Sequence, residues 1–158
     1  MEELIFILRN LIGDTNSTKY TDDSLLNLLC TAAFLVITET PFIEGYTVNL
    51  KDKTITPDPT YANVSDIPFM TLISLKASYL ILNSEAKISS AKNVKIHDGP
   101  SIIDLKDQWM AINELAKARK EEYDYIKNKL TLEYNSGNCL VVMSPTTVQT
   151  IYDNGWVR

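Results

Sequence analysis

Residues 101–130 read SIIDLKDQWMAINELAKARKEEYDYIKNKL, and the architecture turns on this stretch. Apolar or aromatic residues recur at Leu105, Trp109, Ile112, Ala116, Tyr123, Ile126 and Leu130, spaced by 4, 3, 4, 7, 3 and 4. That alternation keeps side chains on one helical face, and only Arg119 interrupts it. The other faces carry six acids and six bases, with Lys117/Glu121 and Lys120/Asp124 at i,i+4. The pattern predicts a helix over about 102–130, roughly 40 Å long at 1.5 Å per residue. A chain of 158 residues does not need that length for one globule. The helix is therefore expected to be the spine of a bundle or to project into a neighbouring subunit.

Immediately upstream, VKIHDGPSII holds the only histidine, His97. A catalytic reading would pair it with Asp98 or Ser101, but adjacent side chains rarely face one another as a base and its orienting group must. A structural reading explains more of the residues. Val94 and Ile96 form a short strand leading in, and Asp98-Gly99 is a turn dipeptide before Pro100. Ser101 then stands as helix N-cap with Asp104 three residues on, the S-x-x-D form of a capping box. No G-x-S-x-G elbow and no phosphate-cradling glycine loop is present among five scattered glycines. Asp52, Asp58 and Asp66 are too dispersed for a calcium loop, and Glu114, Glu121 and Glu122 lack Glu-x-x-His partners. The two cysteines, Cys30 and Cys139, form no C-x-x-C pair. The residues thus assign no catalytic, cofactor-binding or metal-binding position, and the chain reads as a non-enzyme.

Working outward, ELIFILRNLI (3–12) is helix-compatible and apolar, and GDTNSTKYTDD (13–23) breaks it with turn formers. Thr21 is the expected N-cap of a second helix over 22–39, with Asp22 and Asp23 at its electropositive end. Leu25, Leu29, Ala33, Phe34 and Val36 help cover nearly its whole circumference, so it is expected to be central. Pro41 ends it. YTVNLKDKTITPDPTY (46–61) reads as a β-hairpin turning at Lys51-Asp52-Lys53, closed by Pro57 and Pro59. A third helix is expected over 66–88, capped by Asp66, with two apolar lines and lysines at Lys76 and Lys87 interrupting one of them. After the long helix, TLEYNSGNCLVV suggests a small hairpin, and MSPTTVQTIYDNGWVR has too few anchors to pack alone. The predicted class is mainly α: a bundle of about four helices over 1–130 with a hairpin insertion near 46–57, and a C-terminal hairpin and arm over 131–158.

The chain is 45% hydrophobic, enough to bury a core, and its net charge is −5. No run of five bases exists, so a surface that grips nucleic-acid phosphates is not expected. The start MEELIFILRN carries acids where a secretory leader carries lysines. The longest unbroken apolar run, Ala32 to Ile37, falls short of the roughly 20 residues that span a bilayer. These features predict a soluble protein folded in a reducing cytosol.

Four segments taken in order carry a resemblance. They are LRNLIGDTNSTKYTDDSLLNLLCTA, YTVNLKDKTITPDPT, FMTLISLKASYLIL and KIHDGPSIIDLKDQWMAINELAKARKEEYDYIK. A first helix ends in an Ile-Gly-Asp break, an Asp-Asp helix start follows, and an Asp-Gly-x-x-x-Ile-Asp-like segment leads into a long helix with an early aromatic. This order resembles the head–tail connector (adaptor, or head-completion) proteins of tailed bacteriophages, over roughly residues 4–130. The resemblance implies a helical bundle assembling into a ring, commonly of twelve subunits, at the neck of the virion. Such a ring contacts the portal protein on one side and a tail or stopper protein on the other, and lets DNA pass without specific binding. From the residues alone Trp109 and Tyr123 read as core or subunit contact; under the resemblance they, with Arg119 on the long helix and Ile151, Tyr152, Trp156 and Val157 in the arm, are the candidate contact residues. Against this stand two other readings: a small intracellular helical interaction or regulatory module, and an enzyme whose site has no local motif.

Overall fold

The computed structural model describes residues 1–40, 45–60, 66–91, 96–98, 101–103 and 106–142, with the backbone alone at 96–98, 101–103, 106–108 and 137–142. The order is α1 (Glu2–Ile12), α2 (Asp22–Glu39), β1 (Thr47–Asn49), β2 (Thr54–Thr56), α3 (Ile67–Ala91), β3 (Ile96–Asp98), β4 (Ser101–Ile103) and α4 (Lys106–Val142). The mainly helical class, the hairpin and the long last helix are as the sequence predicts. The nearly unbroken apolar circumference of α2 pointed to that helix as the centre. Instead α3 takes it, packing against α1, α2 and α4, while α2 leaves Phe34 49% exposed. Phe69, Leu72, Ile73 and Ala77 of α3 are fully buried, together with Leu4 and Leu8 of α1 and Leu25, Leu29 and Val36 of α2. By length and composition α3 is also long and apolar enough to cross a bilayer, and half of its most apolar window is buried in the bundle. Apolar contact with three helices accounts for that composition.

The helix starts follow the sequence. Thr21 accepts the Ser24 N–H at 3.3 Å, and Asp66 Oδ1 accepts the Phe69 N–H at 3.0 Å. α1 stops where Gly13 turns to φ +74°, a left-handed conformation that costs glycine no side-chain clash. The β1–β2 hairpin pairs Val48 with Ile55 and leans on α2. Tyr46 at its base stacks on Phe69 at 4.1 Å and donates to Asp66 at 3.1 Å. A two-stranded hairpin needs such a support to persist in water.

Two expectations fail in the chain's second half. Ser101 is not the N-cap of α4: it lies in β4 opposite Asp98, with His97 opposite Ile102, and α4 begins at Lys106. The capping-box reading of Ser101 and Asp104 loses to a hairpin reading of the same residues. Two triplets, Ile-His-Asp and Ser-Ile-Ile, flank a two-residue Gly-Pro connection, and β-branched isoleucines favour strands. Gly99, Pro100, Asp104 and Leu105 lie outside the described residues. We therefore expect Ser101→Ala to change unfolding free energy by less than about 0.5 kcal/mol, against about 1 kcal/mol for Thr21→Ala. Parallel urea titrations check the contrast, and equal losses would restore Ser101 as a cap.

The second failure is at 131–142. The Asn135-Ser136-Gly137-Asn138 turn signal predicts a hairpin, yet α4 runs on to Val142. Extending a formed helix adds a hydrogen bond per residue without a new nucleus, whereas a single glycine costs only about 1 kcal/mol. No break occurs at residue 130, and 143–158 lie outside the described residues.

Candidate functional site

The break between α1 and α2 is a locked corner. Arg9 is 7% exposed, and its guanidinium donates to Asp14 Oδ2 at 2.8 Å, to the Tyr20 carbonyl at 2.9 Å and to Asp22 Oδ1 at 2.5 Å. Asp14, 5% exposed, accepts the N–H groups of Thr18, Lys19 and Tyr20 at 3.0, 3.1 and 3.1 Å. Burial alone would raise its pKa, but those N–H groups and the Arg9 charge outweigh that and hold it below the ordinary value. Tyr20 in turn donates to Glu85 on α3. Both terminal nitrogens of Arg9 and both carboxylate oxygens of Asp14 are engaged in the turn.

A second cluster joins three helices. Glu39, in the last turn of α2, takes Lys76 Nζ of α3 at 2.6 Å on one oxygen. The other oxygen accepts the Tyr123 hydroxyl of α4 at 2.8 Å, with Lys127 Nζ at 3.5 Å. Lys76 Nζ also lies 4.8 Å from the Tyr123 ring centre. Burial acts to raise the Glu39 pKa, but the Lys76 and Tyr123 hydrogen bonds and both lysine charges hold it low. Burial, then the Glu39 hydrogen bond and charge, push the Tyr123 phenol up. Both shifts move away from neutrality, so neither group is poised as a general acid or base. The arrangement clamps helices. Tyr123→Phe is expected to cost about 1.5 kcal/mol in a urea titration, the scale of one hydrogen bond to a charged acceptor. A loss under about 0.3 kcal/mol would reject the clamp.

Of the two readings open to the aromatics of α4, core or subunit contact, Tyr123 takes the first. Tyr123 is 3% exposed and belongs to the core, so it is not an outward contact residue. Trp109 and Arg119 share its helical face, half-buried, with Trp109 Nε1 and Arg119 Nε finding no hydrogen-bond partner among the described residues and Arg119 donating to Glu122 at 2.6 Å. Tyr123 meets Lys76 of α3 and Glu39 of α2, and Trp109 lines a depression with Asn83, Lys87 and Ser90 of α3. Ile151, Tyr152, Trp156 and Val157 lie outside the described residues. Among the described residues, no group of three His, Cys, Asp or Glu side chains could hold a metal ion.

Reasoning from the sequence passed over Glu39 and Arg9. A signal for Glu39 was present: a carboxylate in a helix's last turn is disfavoured by the macrodipole unless cations meet it. The lysine interrupting the apolar face of α3, Lys76, is that cation.

Among the described residues, several exposed patches are apolar. Ile7 and Leu11 of α1 with Ile67, Met70 and Leu75 of α3 line a groove of about 330 Å³. Ile67 in that lining is 68% exposed, and Phe6 of α1 is 69% exposed. On α4 the outward positions Ala111, Ala118, Tyr125 and Leu132 recur every seven residues, and Tyr125 and Leu132 are 71% and 67% exposed. The polar clusters join the helices to one another, while the outer faces of α1, α3 and α4 present exposed hydrophobic side chains. The chain matches no family model, no curated protein and no solved structure.

Proposed function

We propose that this chain is a structural assembly protein of the head–tail junction of a tailed bacteriophage, forming a ring that bridges portal and tail and surrounds the path of the DNA. The observation that carries the reading is α4. It is 37 residues long, its inward face is filled by α3, and its outward face repeats an apolar residue each seventh position. Large exposed apolar side chains spread along a rigid helix call for a protein neighbour. The order of motifs over residues 4–130 supplies the phage assignment. The net charge of −5 suits a wall past which DNA slides without adhering.

The same exposed faces also fit the second reading, a small intracellular helical interaction module. The two differ in self-association and in portal binding. Light scattering of the purified chain, alone and mixed with the portal protein of the same genome, separates them. The ring reading expects a multi-subunit assembly alone or on the portal. A chain that stays monomeric and leaves the portal unbound overturns it.

A further inference from the structure

The central helix α3 meets its neighbours through two unlike faces. With α1 and α2 it shares a fully buried core that includes Phe69, Leu72, Leu8 and Leu29. The side it turns to α4 carries Lys76, Asn83, Lys87 and Ser90. The Lys76–Tyr123 contact shows this, as does the depression that Asn83, Lys87 and Ser90 line with Trp109 and Asn113. Those four α3 residues stand at steps of seven, four and three, which is one helical face, and each is polar. The depression, about 350 Å³, opens at the seam between the two helices.

The α4 side of the seam buries little. Of its described side chains, 109–136, only Ala116 and Tyr123 are buried. Tyr123 is the one α4 member of the buried core cluster, with Ile126 and Leu130 packed against it. Trp109 Nε1 and Arg119 Nε are buried with no hydrogen-bond partner among the described residues. A donor taken out of water unpaired counts against the closed arrangement. Among the described elements the α4 backbone approaches α3 alone. Its polar tie to α2 is Glu39, which accepts the Tyr123 hydroxyl at 2.8 Å and has Lys127 Nζ at 3.5 Å.

We propose that α4 is a detachable unit: it opens from the α1–α3 body as one piece while that body stays folded, and the Glu39–Tyr123 contact is the latch that holds it shut. Proteins open in cooperative units, and the units with few buried apolar contacts open first. The Glu39–Lys76 pair joins α2 to α3, so it survives the opening and keeps the acceptor in place for reclosure. The open form presents the inward faces of α3 and α4, which the closed protomer hides. The inference concerns contacts within one protomer and does not depend on the ring reading.

Native-state hydrogen exchange of the full chain, read peptide by peptide by mass spectrometry, tests it. In the wild type, amides of α4 over 109–136 are expected to be about tenfold or more less protected than those of α2 over 25–36 and α3 over 69–75. Two variants separate the opening from global unfolding. Leu8→Ala removes core packing that the open form retains. It should lower protection in α1, α2 and α3 by about thirtyfold or more and leave α4 unchanged. Leu8→Val, a smaller change, serves if the alanine chain does not fold. Tyr123→Phe removes the latch, which is lost in the open and the unfolded forms alike, so protection of α4 and of the core should fall together by about tenfold. Equal protection of the three helices in the wild type, or an α4 that follows the core in Leu8→Ala, shows a single cooperative unit and overturns the proposal. Protection of α4 untouched by Tyr123→Phe overturns it too, because the latch would then hold nothing.

Discussion

Phe69→Ala is expected to destabilise the protein by about 3–5 kcal/mol, the range for emptying a fully buried phenylalanine site. Phe69 is fully buried, at the first turn of the central helix, and its ring is the platform for Tyr46 at the base of the β1–β2 hairpin. Alanine leaves a cavity between α3 and the hairpin and removes the stacking partner in one step. Native stabilities are commonly about 5–15 kcal/mol, so a large share of the folded population is at stake at 37 °C. Urea unfolding followed by circular dichroism gives the number. Phe34→Ala serves as the control: with a side chain 49% exposed, its loss should be a fraction of that. Equal effects for the two substitutions would show that Phe69 does not hold the core as described.

The second large effect is expected for Arg9→Ala. The guanidinium is almost wholly buried and ties together the Tyr20 carbonyl and the carboxylates of Asp14 and Asp22. Removing one member of a buried charge pair typically costs about 3–5 kcal/mol, because the partner's charge is left uncompensated. The loss should also depend on pH in a definite direction. The Asp14 carboxyl is held below its ordinary value, so its stabilising contribution is fully present above the unfolded-state pKa, near 4. It is lost as the pH falls through the depressed folded-state value. The gap between wild type and Arg9→Ala should therefore narrow in acid and stay constant from about pH 5 to pH 7. A gap that widens on acidification would mean that the Asp14 carboxylate is not what Arg9 serves. Arg9→Lys should recover only part of the loss, since an ammonium cannot reach three acceptors in the planar fork that arginine uses.

How far the fold could be read from residues varied with the range of the forces involved. The starts of α2 and α3 were legible because a cap is a contact over three residues: Thr21 to Ser24, Asp66 to Phe69. The β1–β2 hairpin was legible for a similar reason, its register depending on Val48 and Ile55 across a short turn. The start of α4 was misread because Ser101 satisfies two local grammars at once, a capping box and the second strand of a hairpin. The continuation to Val142 was misread because turn propensity at Asn135-Ser136-Gly137 is weak beside the cooperativity of a helix already formed.

The candidate contact residues divide along the same line. The heptad repeat of α4 announced that Trp109 and Tyr123 share a face, and they do. Whether that face met another copy or the protomer itself depended on α3, and α3 fills it. The exposed repeat at Ala111, Ala118, Tyr125 and Leu132 lay in the same residues, but nothing local ranked it below the inward stripe. Likewise, the lysine at position 76 looked like a blemish in an apolar face until Glu39 and Tyr123 came to either side of it.

Taken alone, the amino-acid order determined the helical class, the position of the first hairpin, two helix caps and the lack of any local catalytic or metal-binding motif. These depend on interactions between residues a few positions apart, whose energies hardly change with context. Only the tertiary structure decided that α3 and not α2 is the centre, that Glu39 joins three helices, and which side of α4 is covered. Those outcomes depend on residues dozens of positions apart competing for the same buried space. A residue's own pattern states that it must be covered and leaves open by what.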